Sequence, residues 1–144
     1  MLKALSLVGL LMMVVALAGL WRIGALFSPS PSVIGVQVAA VLLIVWARVT
    51  FGVRSFHAAA NPTGGGLVTS GPYRCIRHPI DTAGCLIGWA GIAAHVSVAS
   101  ASLGVLLLAG AVVRMLCEEN LVVETYPEYR EYAKRTKRMI PFLF

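Results

Sequence analysis

Uncharged apolar stretches alternate with short polar ones along the whole chain. Residues 4–20 carry no charge and are rich in Leu, Val and Met, which predicts a first helix over residues 4–26. Ser28-Pro29-Ser30-Pro31-Ser32 interrupts the pattern, because proline and serine at this density favour a turn. A second apolar run predicts a helix over residues 33–53, with Trp46 and Arg48 near its end as interface anchors. Asp81 and Arg114 then bracket 32 uncharged residues. That is too long for one ordinary span and short for two. Ala94-His95-Val96-Ser97 near its middle suggests a tight hairpin of helices over residues 79–96 and 100–120. Helices of about 18–20 residues reach roughly 27–30 Å, enough to cross the hydrocarbon.

After the fourth run, Thr125-Tyr126-Pro127-Glu128 has the spacing of a capping box with proline in the first turn. It predicts a short amphipathic helix over residues 126–137. Its apolar stripe would be Tyr129, Tyr132, Ala133 and Thr136. The segment between the second and third runs, residues 54–78, reads as a cytoplasmic loop. The glycines Gly64-Gly65-Gly66 in it suit a lid, a plain linker, or close approach to a ligand. The fold class that follows is all-α: an integral membrane four-helix bundle with a helical hairpin and a C-terminal cytoplasmic amphipathic helix. Residues 1–144 form a single domain.

Composition agrees with this frame. The 144 residues are 58% hydrophobic and only 12% charged, against about 25% charged in a soluble domain. Mean hydropathy is +0.83. A separate soluble catalytic domain does not fit. Cys75, Cys85 and Cys117 are odd in number and lack CxxC spacing, so a disulfide scaffold does not fit either, and no metal centre is expected.

The net charge of +6 says less than its placement. No acidic residue precedes Asp81, and five basic residues follow from Arg130 onwards. Arg54, Arg74 and Arg77 sit between the second and third runs, whereas the first and third connections hold only Arg22 and nothing. Positive-inside counting therefore puts both termini and the middle loop in the cytoplasm. Basic residues flanking apolar runs do not describe a nucleic-acid surface. Lys3, the apolar run after it and Ala16-Leu17-Ala18 also resemble a cleavable signal sequence, but the run continues past that point.

Two clusters put ionisable groups at the cytoplasmic membrane edge, where they are costly unless they face a polar cavity or each other. In Gly71-Pro72-Tyr73-Arg74-Cys75-Ile76-Arg77-His78-Pro79, Pro79 fits the first helical position and His78 its cap. Arg77, His78 and the helix N-terminus together would attract an anion. In Arg114-Met115-Leu116-Cys117-Glu118-Glu119, Arg114 and Glu118 are four apart and share a helix face. Topology anchors and an interfacial ion pair are the plainer readings of these residues. His57 and His95 read as loop residues.

Taken together, GPYRxxRHP at residues 71–79 (with Cys75 and Ile76 at x), Arg114-x-x-x-Glu118-Glu119-x-Leu121, Glu128-Tyr129-x-x-Tyr132 and Ile140-Pro141 resemble the isoprenylcysteine carboxyl methyltransferase family, to which phospholipid methyltransferases are related. The similarity spans roughly residues 50–142. It implies S-adenosylmethionine bound at the cytoplasmic edge, with contacts from Val68, Gly71, Tyr73, Arg77, His78, Glu118 and Leu121. It also implies a lipophilic or lipid substrate drawn from the surrounding membrane lipids. The family usually has tyrosine where this chain has Asp81, and often Phe-Gly where it has Tyr126-Pro127.

The expected activity is S-adenosylmethionine-dependent methyl transfer to a lipophilic acceptor, foremost a carboxylate of the isoprenylcysteine type. A phospholipid amine or a small thiol is the alternative acceptor. Arg114 is the candidate for holding an anionic acceptor and Glu119 the base for an amine. Asp81 is placed beside the reacting groups, with Arg77, Arg114 or the sulfonium as its counter-charge. A small four-helix transporter or structural subunit is the alternative of another class. Small multidrug transporters use an acidic residue in the first span, and spans 1 and 2 contain none.

Overall fold

The computed structural model describes residues 1–52 and 66–140. Among them are five helices: α1 (Leu2–Arg22), α2 (Pro31–Phe51), α3 (Pro79–Ala94), α4 (Val98–Thr125) and α5 (Tyr129–Arg135). A 3-10 turn, Gly71–Arg74, precedes α3. The described residues hold no strand, only an isolated parallel bridge between Ile76 and Lys137. The first part of the expected loop, residues 54–65 with His57, Gly64 and Gly65, lies outside the described residues.

Helix ends follow local chemistry and correct several expected boundaries. The first helix stops at Arg22 rather than 26, because Gly24 turns the chain with φ +71°. Pro31 opens α2 at its first turn, where its missing N–H costs nothing. Ser97 and Ser100 form a reciprocal capping box, and α4 starts at Val98. The helix then runs on to Thr125, past the expected end at 120. Consequently the capping box expected at Thr125 does not form. That residue still belongs to α4, and its hydroxyl donates back to the Leu121 carbonyl at 3.1 Å. The last helix is Tyr129–Arg135, not 126–137, with Pro127 in the turn before it.

Three helices are long and apolar enough to cross a membrane: α1, α2 and α4. The fourth expected span, α3, has only 16 residues and reaches about 24 Å. By contrast α4 has 28 residues, about 42 Å at the same rise. It is therefore longer than a hydrocarbon layer of about 30 Å is thick. Glu118 and Glu119 lie in its C-terminal part, and Arg114 stands about 24 Å from its first residue.

The helices pack as two pairs, α1 on α4 and α2 on α3, with α3 also against α4. Glycine brings α1 and α4 into backbone contact: a Cβ on Gly9 would sit 2.7 Å from the Gly110 carbonyl and 2.9 Å from the Arg114 nitrogen. Met13, Ala16, Leu107, Ala111 and Met115 fill the seam. Deeper towards the other end, Leu20, Ala25, Leu26 and Ile92 form a second cluster. Gln37 on α2 ties the layers by donating to the Leu26 carbonyl at 2.7 Å and the Ile87 carbonyl at 3.1 Å. The outward faces stay apolar, with Leu11, Val15, Leu42 and Trp46 more than half exposed. An apolar outer face is a lipid-facing pattern rather than a water-facing one.

Candidate active site at the head of α3

The charged residues singled out from the sequence converge where α3 begins and α4 leaves its apolar part. Pro79 occupies the first turn of α3 and His78 its N-cap, as the spacing predicts. His78 and Asp81 are both buried. Arg114 lies between two carboxylates: its Nε is 3.2 Å from Asp81 Oδ1 and its Nη2 is 2.8 Å from Glu118 Oε1. The i,i+4 pair is thus made, and Asp81 finds its counter-charge across the hairpin. Neither Arg77 nor an external group is needed for that. His78 Nδ1 faces the remaining oxygens of both carboxylates at 3.7 Å each. No metal centre was expected here, yet one ligand atom from each of His78, Asp81 and Glu118 lies within 4.8 Å of the others.

Arg77 and Glu119 form the adjoining half of the network, and their geometry departs from expectation. Arg77 Nε donates to Glu119 Oε1 at 2.8 Å. Its Nη1 donates to the carbonyls of Ala133 at 3.0 Å and Thr136 at 2.5 Å. These partners lie within the chain, so Arg77 serves as a strap rather than as an open anion receptor. The backbone is similarly engaged, since the Arg77 and His78 N–H groups donate to the carbonyls of Lys137 and Arg138 at 2.8 and 3.0 Å. They are not left for an external anion.

Glu119 receives Arg138 on its second oxygen, with Nε and Nη2 both at 3.0 Å. Its first oxygen also faces His78 Nε2 at 3.4 Å. Both oxygens are thus occupied by internal donors, so neither is presented to an acceptor amine.

The tail folds back over the 3-10 turn through residues that the sequence presented only as a basic, amphipathic end. Tyr132 donates its hydroxyl to the Tyr73 carbonyl at 2.6 Å. Burial pushes that phenol up to about 12, so it remains a donor at ordinary pH. Thr82 Oγ1 reaches the Met139 carbonyl at 3.3 Å. Tyr129 is buried and Tyr132 half-buried, on the side expected to be apolar. No periodicity could reveal the pairing of Ile76 with Lys137, because it joins two short extended segments far apart in sequence.

The remaining expected cofactor contacts surround this network without joining its hydrogen bonds. Gly71 has φ +57° and packs so closely on Thr50 that a Cβ would strike its hydroxyl. Tyr73 is buried with its ring 5.5 Å from that of Phe51. Val68 and Leu121 are half-buried. Next to Val68, Leu67 and Thr69 line a cleft of about 700 Å³ together with Arg74 and with Glu128, Glu131, Tyr132, Arg135 and Thr136 of the tail. Its volume lies within the range of small-molecule sites, roughly 300–1,000 Å³.

Residues 29–129 match the phospholipid methyltransferase family, a stretch running from the entry to α2 through the turn, α3 and α4 to the start of α5. The chain belongs to that family. The isoprenylcysteine and phospholipid methyltransferases fall within it, in agreement with the resemblance of the RHP and RxxxEE elements. Phospholipid methyltransferase family members are membrane methyltransferases, and the three long apolar helices mark this chain as a membrane protein. The cobalt-zinc-cadmium resistance protein CzcN of Cupriavidus metallidurans is 37% identical over 81 residues. That alignment covers 54% of this chain and 36% of CzcN, so the chain matches about a third of that relative's length. No solved structure matches the chain. Thr136 and Arg138, which complete the network, lie beyond the stretch matched to the family.

Proposed function

We propose that the protein is an integral membrane methyltransferase that uses S-adenosylmethionine and takes a lipophilic acceptor. The observation that carries this is the family match over residues 29–129, which contains the whole His78–Asp81–Arg114–Glu118 cluster. The donor's amino-acid end carries an ammonium, a carboxylate and a sulfonium. Two buried carboxylates, a guanidinium and an imidazole gathered in one place suit that mixture of charges. When bound, the donor supplies an activated methyl group for in-line displacement.

The chain's own residues bind and orient. In this reading Asp81 and Glu118 face the cationic groups, and His78 and Arg114 the carboxylate. The cleft beside Leu67 and Thr69 accepts the nucleoside. Arg77 and Glu119 hold the tail against the 3-10 turn, so that Val68, Gly71, Tyr73 and Leu121 form a preorganised wall. The active site and both termini are cytoplasmic, α3 is the short fourth span, and the acceptor enters sideways between helices.

A carboxylate of the isoprenylcysteine type needs no base once ionised and is the acceptor we favour. An ethanolamine phospholipid is the second reading. It is favoured by the family's description, and with Glu119 occupied its proton would pass to Asp81 or Glu118. Cofactor affinity tests the site: His78→Ala and Glu118→Ala should each lose a charged hydrogen-bond partner worth roughly 1.5–3 kcal/mol. That corresponds to about 10- to 150-fold weaker binding of S-adenosylmethionine by titration calorimetry. Parent-like affinity in both variants would remove the donor from this cluster. Transfer of a labelled methyl group to a prenylated cysteine carboxylate, an ethanolamine lipid and a small thiol then decides the acceptor.

A further inference from the structure

We infer that His78, Asp81 and Glu118 form a binding site for a divalent metal ion of the zinc class, with Nδ1, Oδ2 and Oε2 as ligands. The argument starts with the imidazole. Its Nε2 faces the Glu119 carboxylate at 3.4 Å. A proton on Nε2 leaves the lone pair on Nδ1, the arrangement that outer carboxylates impose on metal-binding histidines. Nδ1 has no hydrogen-bond partner among the described residues. Instead it faces Asp81 Oδ2 and Glu118 Oε2, each at 3.7 Å. The His78 and Asp81 side chains are more than nine-tenths buried, at 7% and 8% exposure. With that tautomer, a lone pair and two carboxylate oxygens converge on one buried spot that attracts a cation.

The spacing suits an ion. Ligands about 2.1 Å from a tetrahedral zinc stand about 3.4 Å apart, so 3.7 Å needs to close by only a few tenths of an ångström. One ligand atom from each of the three residues lies within 4.8 Å of the others. Arg114 does not block the spot. It takes the opposite oxygens, Asp81 Oδ1 and Glu118 Oε1, and so aims Oδ2 and Oε2 towards Nδ1. Glu119, itself clamped by Arg77 and Arg138, fixes the imidazole from behind. Three protein ligands leave a fourth position for water or another small ligand. His78, Asp81 and Glu118 all belong to the proposed donor site as well, so an ion here and the donor would compete for the same side chains.

The test uses the untagged full chain in detergent, titrated with Zn²⁺ by calorimetry and with Co²⁺ by visible absorption. No S-adenosylmethionine is present, so the outcome is independent of the donor assignment. One ion per chain is expected, with a tetrahedral or five-coordinate cobalt spectrum. His78→Ala, Asp81→Asn and Glu118→Gln should each weaken binding by at least about tenfold. Glu131→Gln, at an exposed ion pair with Lys134, should leave it unchanged. The chain has three histidines. The His57→Ala/His95→Ala double variant, in which His78 alone remains, should keep the ion and a paramagnetically shifted imidazole resonance. That last measurement decides even if a carboxylate variant fails to fold. Absence of stoichiometric binding by the parent, or binding that survives His78→Ala, overturns the site.

Discussion

Arg77 shows how much depends on the shape of a single side chain. Its planar guanidinium sends Nε to Glu119 and Nη1 to the Ala133 and Thr136 carbonyls. A lysine ammonium is a single point and cannot face both directions. Arg77→Lys should therefore loosen the tail while keeping the charge. Trypsin should then cut at Lys134, Arg135, Lys137 or Arg138 markedly faster than in the parent, read by mass spectrometry of the clipped chain. Equal clipping rates would show that the strap contributes nothing to holding the tail. Asp81 is the other instructive residue. Its neighbours in sequence offered Arg77 one turn away, but the folded chain pairs it with Arg114 on the facing helix. Sequence spacing lists possible partners on the same helix and cannot rank them against one on another element.

Between elements, glycine lets α1 and α4 meet backbone to backbone one turn before Arg114. A Cβ on Gly110 would lie 2.7 Å from the Gly9 carbonyl and 3.0 Å from the Met12 and Met13 side chains. Small residues let membrane helices approach closely, and here no space remains for a methyl group. Gly110→Ala should cost about 1–3 kcal/mol through overpacking. Gly35 on α2 meets nothing within 4 Å. Gly35→Ala should therefore gain about 0.5–1 kcal/mol from helix propensity alone. Thermal unfolding of both variants in one detergent checks the contrast: a lower midpoint for the first, an equal or higher one for the second. The expected tight hairpin of α3 and α4 is present, and Ser97 and Ser100 close its turn.

At the scale of the whole molecule, the two ends of α3 report orientation. Cys75 is exposed just before the helix, and Val96 is 79% exposed just after it. With the middle loop in the cytoplasm, an impermeant maleimide added to intact cells should label Val96→Cys in a Cys75→Ser background. Native Cys75 should react only after permeabilisation. Cys85 and Cys117 are buried and should stay silent in both cases. The reverse pattern would turn the protein over and place the Arg114 cluster outside, away from a cytosolic methyl donor.

Lengths of apolar runs, helix starts at prolines and the Arg114–Glu118 pair were legible because each is a local property. Periodicity and capping act within about four residues, and the motif order at RHP and RxxxEE pointed to the family that the chain belongs to. Helix ends were read less well, since Thr125 bonds back within α4 instead of capping α5. Contacts between elements lay beyond such reading. Arg77 reaches Glu119 across 42 residues and Thr136 across 59. These partners are chosen by where the packing of α3 on α4 and the returning tail bring the backbones. The sequence alone thus determined that this is a helical membrane protein. Only the tertiary structure decided which charge meets which: Arg114 between Asp81 and Glu118, and Glu119 closed off by Arg77 and Arg138. The physical reason is that ion pairing in a buried site depends on distances of a few ångströms, which helix packing sets and periodicity does not encode.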